Sequence, residues 1–250
     1  MALLSDPATS DADVWWAARA DAAPELEALL DDVERERRSA YRRQEDRDRF
    51  LVGCALAKVA LGRRLDRPPE SIRLTRTCPT CGKPHGKPTL PGSGIELSLS
   101  HSGDVVVAAF AAGAPVGVDV EALAGARFDV DELRRLALSD DEALALDGLD
   151  ASERRRAFLV AWTRKEAVTK AVGAGLAVPL RDVVVSPAHE PPRLLAWPYD
   201  DPPEAVSLFD VGSDPGYPAT VAVLGACDGV RELDGSELLR TFVQTTASPG

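Results

Sequence analysis

Glu166 and Lys170 stand four residues apart in Trp162-Thr163-Arg164-Lys165-Glu166-Ala167-Val168-Thr169-Lys170. On a helix that spacing puts a carboxylate and an ammonium on one face. Trp162, four residues before the glutamate, extends the face with an apolar wall, so the trio can project together into a cleft. The same pair also fits a solvated surface ion pair, worth a few tenths of a kcal/mol. A second stretch, Gly117-Val118-Asp119-Val120-Glu121, alternates as a strand does. Val116, Val118 and Val120 then face a core, while Asp119 and Glu121 face the other way, roughly 7 Å apart. Aligned carboxylates repel unless a cation serves both, and a hard divalent ion that prefers oxygen, Mg²⁺ above all, meets that need. An ordinary amphipathic strand with a polar outer face shows the same alternation.

Two further stretches lie upstream, His85-Gly86-Lys87-Pro88 and Leu99-Ser100-His101-Ser102-Gly103. The four, in this order, resemble the motif series of the 4′-phosphopantetheinyl transferases, in the larger two-lobed, surfactin-synthetase-activating class. The likeness spans residues 85–170, with weaker agreement around Arg42–Gly53 and at Asp214-Pro215-Gly216-Tyr217. It implies Mg²⁺-dependent transfer of the 4′-phosphopantetheine arm of coenzyme A to a serine of apo acyl or peptidyl carrier proteins, with release of 3′,5′-ADP. Hydroxyl attack on a diphosphate needs a metal, a proton acceptor and a cation for the departing charge. By resemblance Asp119, Glu121 and Glu166 are the Mg²⁺ set, with Glu166 also base or orienter of the base, and Lys170 contacts the phosphates. Arg37, Arg49, Lys87, Pro88, Ser100 and His101 match coenzyme A contacts. Glu34 stands where the family often has a lysine, and Leu97-Ser98 where Phe-Asn is common. The broad carrier acceptance of the class points to polyketide and nonribosomal peptide carriers in secondary metabolism.

The elements that must hold these side chains follow from periodicity. A first strand is expected around Val14–Ala17, then helix over Glu25–Leu30 and Val33–Arg43. Gln44–Leu65 carries apolar residues at the helical period and ends before Pro68-Pro69. Ile72–Leu74 reads as a short strand, and Glu96–Phe110 as two strands turning at Ser100–Gly103 with His101 in the turn. Val105–Phe110 and Val116–Val120 are parted at Gly113-Ala114-Pro115. Helices follow at Val130–Leu138 and Asp140–Leu146. Asp150 and Glu153 form a capping box for the helix carrying Glu166, which Gly173 and Gly175 end. Arg181–Val185, Val206–Asp210 and Ala219–Leu224 complete the strands. The fold class is α+β, with a lobe over 1–114 and another, holding the metal site, over 115–250. The resemblance implies a pseudo-twofold pair of similar α/β lobes, each a small mainly antiparallel sheet on a long helix, with the cofactor between them.

With 250 residues and 45% hydrophobic content the chain can bury a core. A net charge of −11 speaks against general nucleic-acid affinity. The longest apolar run, Val105–Ala112, is too short to span a bilayer, and Met1–Ser10 carries no signal-peptide pattern. Four cysteines make no disulfide framework, so a cytoplasmic location is expected; the chain is also expected to be a monomer. Cys78 and Cys81 suit a turn, a dithiol or half a zinc site with His85 as third ligand. Two rival readings are a coenzyme A-binding protein without catalysis and a zinc-dependent interaction protein. Arg134 and Arg135, flanked by Leu133 and Leu136, are the expected carrier-docking residues.

Overall fold

The computed structural model describes residues 12–78, 81–84, 86–124, 130–173, 178–200, 202–203 and 205–247. Met1–Ser10, Pro79-Thr80, His85 and Gly175, on which some expectations rest, lie outside them.

The first lobe is built on β1 (Ala12–Ala18), α1 (Asp32–Ala40), α2 (Gln44–Leu65), β2 (Ile95–Ser102) and β3 (Val105–Ala112). Every residue of α2 from Phe50 to Gly62 is buried. This helix is covered on both sides, by the sheet and by the segments that wrap it, so its apolar stripe widens into a full circumference. It ends at Asp66, which takes a left-handed conformation (φ 52°), before the two prolines are reached. Pro24–Leu29 is 3₁₀ rather than α-helix. Ile72–Leu74 is not a strand: Ile72 and Leu74 are buried by core contact, and pairing in that region reduces to a bridge between Thr75 and Thr89.

The second lobe repeats the plan with β4 (Val116–Val120), α3 (Val130–Ala137), α4 (Asp140–Leu144), α5 (Ala151–Val172), β5 (Val184–Val185), β6 (Leu194–Ala196), β7 (Val206–Asp210) and β8 (Ala219–Leu224). The antiparallel order β2-β3-β1 of one lobe matches β7-β8-β4 of the other. Helices α2 and α5 each have 22 residues and each end on a left-handed residue, Asp66 and Gly173. Asp150 and Glu153 form the expected capping box. The stretch at Arg181 is instead a 3₁₀ turn, with strand only at Val184–Val185. Gly117 lets α5 lie against β4, because a Cβ there would stand 2.0 Å from the Ala167 carbonyl oxygen.

A buried lysine marks the repeat. Lys58, fifteenth in α2, donates to the Leu29 carbonyl at 2.7 Å and to Glu34 at 2.5 Å. Lys165, fifteenth in α5, donates to the Ala137 carbonyl at 2.7 Å and to Glu142 at 2.5 Å. Each glutamate is the third residue of a capped helix, behind Asp31 and Ser139, and each carbonyl lies two residues before that cap. No sequence repeat announces this correspondence.

The last segment crosses back. β9 (Val230–Asp234) pairs parallel to β1, and α6 (Gly235–Ala247) packs Leu238 and Leu239 into the core around α2. Residues that the 115–250 division assigns to the second lobe therefore complete the first. Among the described residues no helix is long and apolar enough to cross a membrane.

Candidate active site between the lobes

Strand β4 lies at the edge of its sheet, so its outward backbone N–H groups need acceptors. Three serines of β2, spaced by two and hence on one face, supply them. Ser98 accepts from Val118 N at 3.1 Å, Ser100 from Val120 N at 3.4 Å and Ser102 from Ala122 N at 3.0 Å. Two of these hydroxyls also donate to the carboxylates of that segment: Ser100 to Asp119 Oδ1 at 2.8 Å, and Ser102 to Glu121 Oε2 at 2.7 Å. The ladder thus joins the lobes and aims both acids. Ser98 and Ser102 were missed as site residues, although a Ser-x-Ser-x-Ser alternation in a strand was there to be read.

His101, between two ladder serines, points to the opposite side. It belongs to β2, paired with Val106, and not to the turn, which falls at Gly103-Asp104 with Gly103 at φ 56°. The residue is exposed on the outer side of the strand, yet the surrounding cleft wall lowers its pKa by desolvation, with Arg49 and then Lys170 acting the same way.

From the other lobe, Lys170 reaches Asp119 Oδ1 at 2.6 Å, Ser100 Oγ at 3.1 Å and the Val118 carbonyl at 3.1 Å. The motifs at 117–121, 162–170 and 99–103 therefore meet at one carboxylate. A cleft of about 370 Å³ gathers Arg37, Arg49, Ser100, His101, Asp119, Glu121 and Lys170. Cleft residues that the motifs do not single out include Tyr41, Phe50, Cys54 and Arg76. Glu166 is outside this lining, though its charge acts on Glu121. Lys87 and Pro88 are also outside it. Lys87 spends its ammonium on Glu96 at 3.4 Å and on the Ala171 carbonyl at the end of α5, at 3.3 Å. That makes it a tie between lobes, and burial lowers its pKa.

The acids are short of positive charge. Burial, then the charge of Asp119, raises Glu121 to about 7 against the pull of Ser102 and Lys170. The same two causes raise Glu166. Asp119 is 4% exposed, and its Oδ2 has no hydrogen-bond partner among the described residues. Among those residues no three His, Cys, Asp or Glu side chains converge closely enough to hold a metal. Asp119, Glu121 and Glu166 are thus electrostatic neighbours without forming a ready-made cage, and Lys170 is the cation on Asp119. A buried, unpartnered carboxylate oxygen beside two acids held above their ordinary range is still a hard-oxygen donor set, and it suits a divalent ion. Cys78 N donates to the Lys83 carbonyl at 2.8 Å.

Within the motif 162–170, Arg164 and Lys165 are fully buried. Arg164 pairs with Asp210 and donates to the carbonyls of Ser186, Pro187 and Glu190, so it staples a neighbouring loop. Of the motif's four charged residues these two are structural, and Glu166 and Lys170 are the two that act on Asp119.

Two family models match in succession, a 4′-phosphopantetheinyl transferase N-terminal model over residues 14–112 and the 4′-phosphopantetheinyl transferase superfamily over residues 115–222. The 4′-phosphopantetheinyl transferase Sfp of Bacillus subtilis (strain 168) is 27% identical over 79% of this chain and 84% of its own. The relative slr0495 of Synechocystis sp. is 28% identical over 64% of each chain, so here the match spans a little under two thirds of the relative. A crystal structure of a holo-(acyl-carrier-protein) synthase from Bacillus anthracis str. Ames in complex with CoA (3′,5′-ADP) aligns with 44% of this chain and 94% of its own, at 24% identity and TM-score 0.37.

Proposed function

The chain belongs to the 4′-phosphopantetheinyl transferase superfamily, and from that premise we propose that it transfers the 4′-phosphopantetheine arm of coenzyme A to a carrier-protein serine, releasing 3′,5′-ADP, with Asp119, Glu121, Glu166 and Lys170 as its reacting centre. The observation that carries the residue assignment is that Asp119 accepts from Lys170 at 2.6 Å and from Ser100 at 2.8 Å, which brings three separated motifs to one point.

The serine hydroxyl attacks the phosphorus that bears the arm, and the bond to the nucleotide's phosphate breaks. Mg²⁺, held by Asp119, Glu121 and Glu166, would neutralise the diphosphate. Lys170 shares itself between Asp119 and the substrate and stabilises charge on the leaving phosphate. Glu166 has a raised pKa, which suits a group that accepts the serine proton directly or through a water. Ser100 acts through Asp119, and Ser102 through Glu121, by holding each carboxylate on its bearing.

Arg37, Arg49 and His101 hold the nucleotide end of coenzyme A. Lys87 and Pro88 act from outside the cleft by securing the loop beside it. The acceptors are apo acyl and peptidyl carriers of polyketide and nonribosomal peptide synthesis, and the enzyme works as a cytoplasmic monomer. Incubation with coenzyme A, Mg²⁺ and apo carriers of several kinds, followed by intact-mass measurement, tests the activity. A carrier that gains the mass of one phosphopantetheine arm supports it, and no gain on any carrier contradicts it.

A further inference from the structure

Asp214-Pro215-Gly216-Tyr217 has no part in the reacting centre proposed above, yet this short turn ties together three elements that carry it. The turn first closes on itself: Asp214 Oδ1 accepts from Gly216 N at 2.8 Å, and the Asp214 carbonyl accepts from Tyr217 N at 3.1 Å. From α5, the helix of Glu166 and Lys170, Arg156 donates to the Pro215 carbonyl at 2.5 Å. From the end of β4, Glu121 N donates to the Pro218 carbonyl and Leu123 N to the Gly216 carbonyl, both at 2.9 Å. From the turn between β2 and β3, Asp104 N donates to the Tyr217 hydroxyl at 3.3 Å.

These contacts close on Gly103. A Cβ there would stand 2.9 Å from the Tyr217 hydroxyl oxygen and 3.0 Å from the Ala122 Cβ, so the missing side chain is what lets the phenol, the turn and the residue after Glu121 meet. Beside it, Ser102 accepts from Ala122 N at 3.0 Å and donates to Glu121 Oε2 at 2.7 Å. Successive backbone N–H groups of an extended segment point to opposite sides. Residues 121–123 are accordingly gripped from two sides, by Ser102 on one and by the carbonyls of Gly216 and Pro218 on the other, and the Tyr217 hydroxyl spans the two grips. Tyr217 itself lines a cavity of about 570 Å³ beside Trp16 and Glu232, not the cleft of Asp119 and Lys170.

On the transferase reading above, on which this inference rests, Glu121 is a ligand of a divalent ion, and the groups that orient a ligating carboxylate govern both metal affinity and turnover. Asp119 has two anchors of its own, Ser100 and Lys170. Glu121 depends on Ser102, and Ser102 sits one residue before the turn that Tyr217 holds. We infer that Tyr217 is a positioning residue for the transfer reaction: by pinning the Gly103-Asp104 turn against the end of β4 it keeps Ser102 on Glu121, and so sets Glu121 for the metal.

Mn²⁺ binding in the presence of coenzyme A, read by electron paramagnetic resonance, and the single-turnover rate of arm transfer test this on wild type, Tyr217→Leu, Tyr217→Phe, Ser102→Ala and the Tyr217→Leu/Ser102→Ala double variant. Ser102→Ala should weaken Mn²⁺ and slow transfer by about tenfold to a hundredfold, the scale for a group that orients a metal ligand. Tyr217→Leu, one step further out, should cost about threefold to tenfold in both, and Tyr217→Phe, whose ring still covers Gly103, should fall between it and wild type. In the Ser102→Ala background Tyr217→Leu should change either quantity by less than about twofold, because it acts through that serine. Coenzyme A affinity without metal should stay within about threefold, since Arg49, which donates to the Gly103 carbonyl at 2.6 Å, keeps its pairing with Asp46 at 2.7 Å. Unchanged Mn²⁺ affinity in Tyr217→Leu, or losses that multiply in the double variant as a general loosening of the fold would make them, overturns the assignment. If circular dichroism shows Tyr217→Leu unfolded, Tyr217→Phe carries the same cycle with the same criterion. A wild type that transfers while both Tyr217 variants match it removes the positioning role and leaves the transferase reading standing. A wild type that modifies no carrier removes both.

Discussion

Helices α2 and α5 are the same scaffold put to two uses. Both run 22 residues, both clamp a capped helix through a fully buried lysine at the fifteenth position, and both pack on a three-strand antiparallel unit of like order. They part at the next position. The sixteenth residue is Val59 in α2, 5% exposed in the core, and Glu166 in α5, with a raised pKa beside Asp119. The twentieth is Arg63, exposed to solvent, against Lys170 on Asp119. The cause is what covers each helix. α6 and the early 3₁₀ segments enclose α2, whereas α5 meets the serine ladder at the junction and keeps polar side chains there. Stability is thus shared by both copies, while on the proposed function the reacting groups stand on one lobe and the arginines proposed to hold the nucleotide on the other.

The clamps give the largest expected effect. Lys58→Met or Lys165→Met leaves a buried glutamate without its cation, which should cost about 3–5 kcal/mol in either lobe. Urea unfolding of each variant measures it. Similar losses support the structural equivalence; a loss at one site alone breaks it.

Glu166→Ala should lower the transfer rate by about 10²–10³-fold, the scale of removing a group that acts on transition-state charge, with the fold kept by circular dichroism. Val59→Ala should leave transfer within about threefold and cost stability instead. If both variants lose activity alike, the division of labour between α2 and α5 is wrong.

A smaller effect comes from pH. Glu121 holds its proton in the folded, ligand-free protein up to about 7, above the ordinary value of 4.5. Its contribution to stability is therefore fully present below about pH 4.5 and is lost as pH rises through about 7. The melting temperature should fall by a few degrees over that window, and Glu121→Gln should flatten the fall. An unchanged slope would remove the pressure on Glu121 that this site requires.

The smallest effect concerns carrier docking. Arg134 is partly spent on Asp147 at 3.1 Å and Asp131 at 3.7 Å, but Arg135 is exposed beside Leu136, itself 71% exposed. Arg134→Glu with Arg135→Glu should raise KM for the carrier a few-fold and leave that for coenzyme A unchanged, read from steady-state kinetics. Equal shifts in both constants would move the docking surface elsewhere.

Much of this was legible before any coordinates, for identifiable reasons. Gln44–Leu65, Val116–Val120, Val206–Asp210 and Ala219–Leu224 are long or strongly apolar, so local pattern and tertiary burial agree. β9 escaped because an edge strand reading Val-Arg-Glu-Leu-Asp carries too little apolar content, and α6 followed it unseen. Arg164, Lys165 and Lys87 show the harder case. Their charge reads as solvated or ligand-binding, and only long-range partners such as Asp210, Glu142 and Ala171 reveal the structural role.

The claim that one lobe holds and the other reacts is tested most directly by Asp119→Ala at saturating coenzyme A and Mg²⁺, with the single-turnover rate of arm transfer to an apo carrier measured beside the coenzyme A dissociation constant. The account predicts that transfer becomes undetectable while coenzyme A binding in the absence of metal stays within about threefold of wild type. Near-normal turnover, or an affinity loss that accounts for the whole defect, would contradict it.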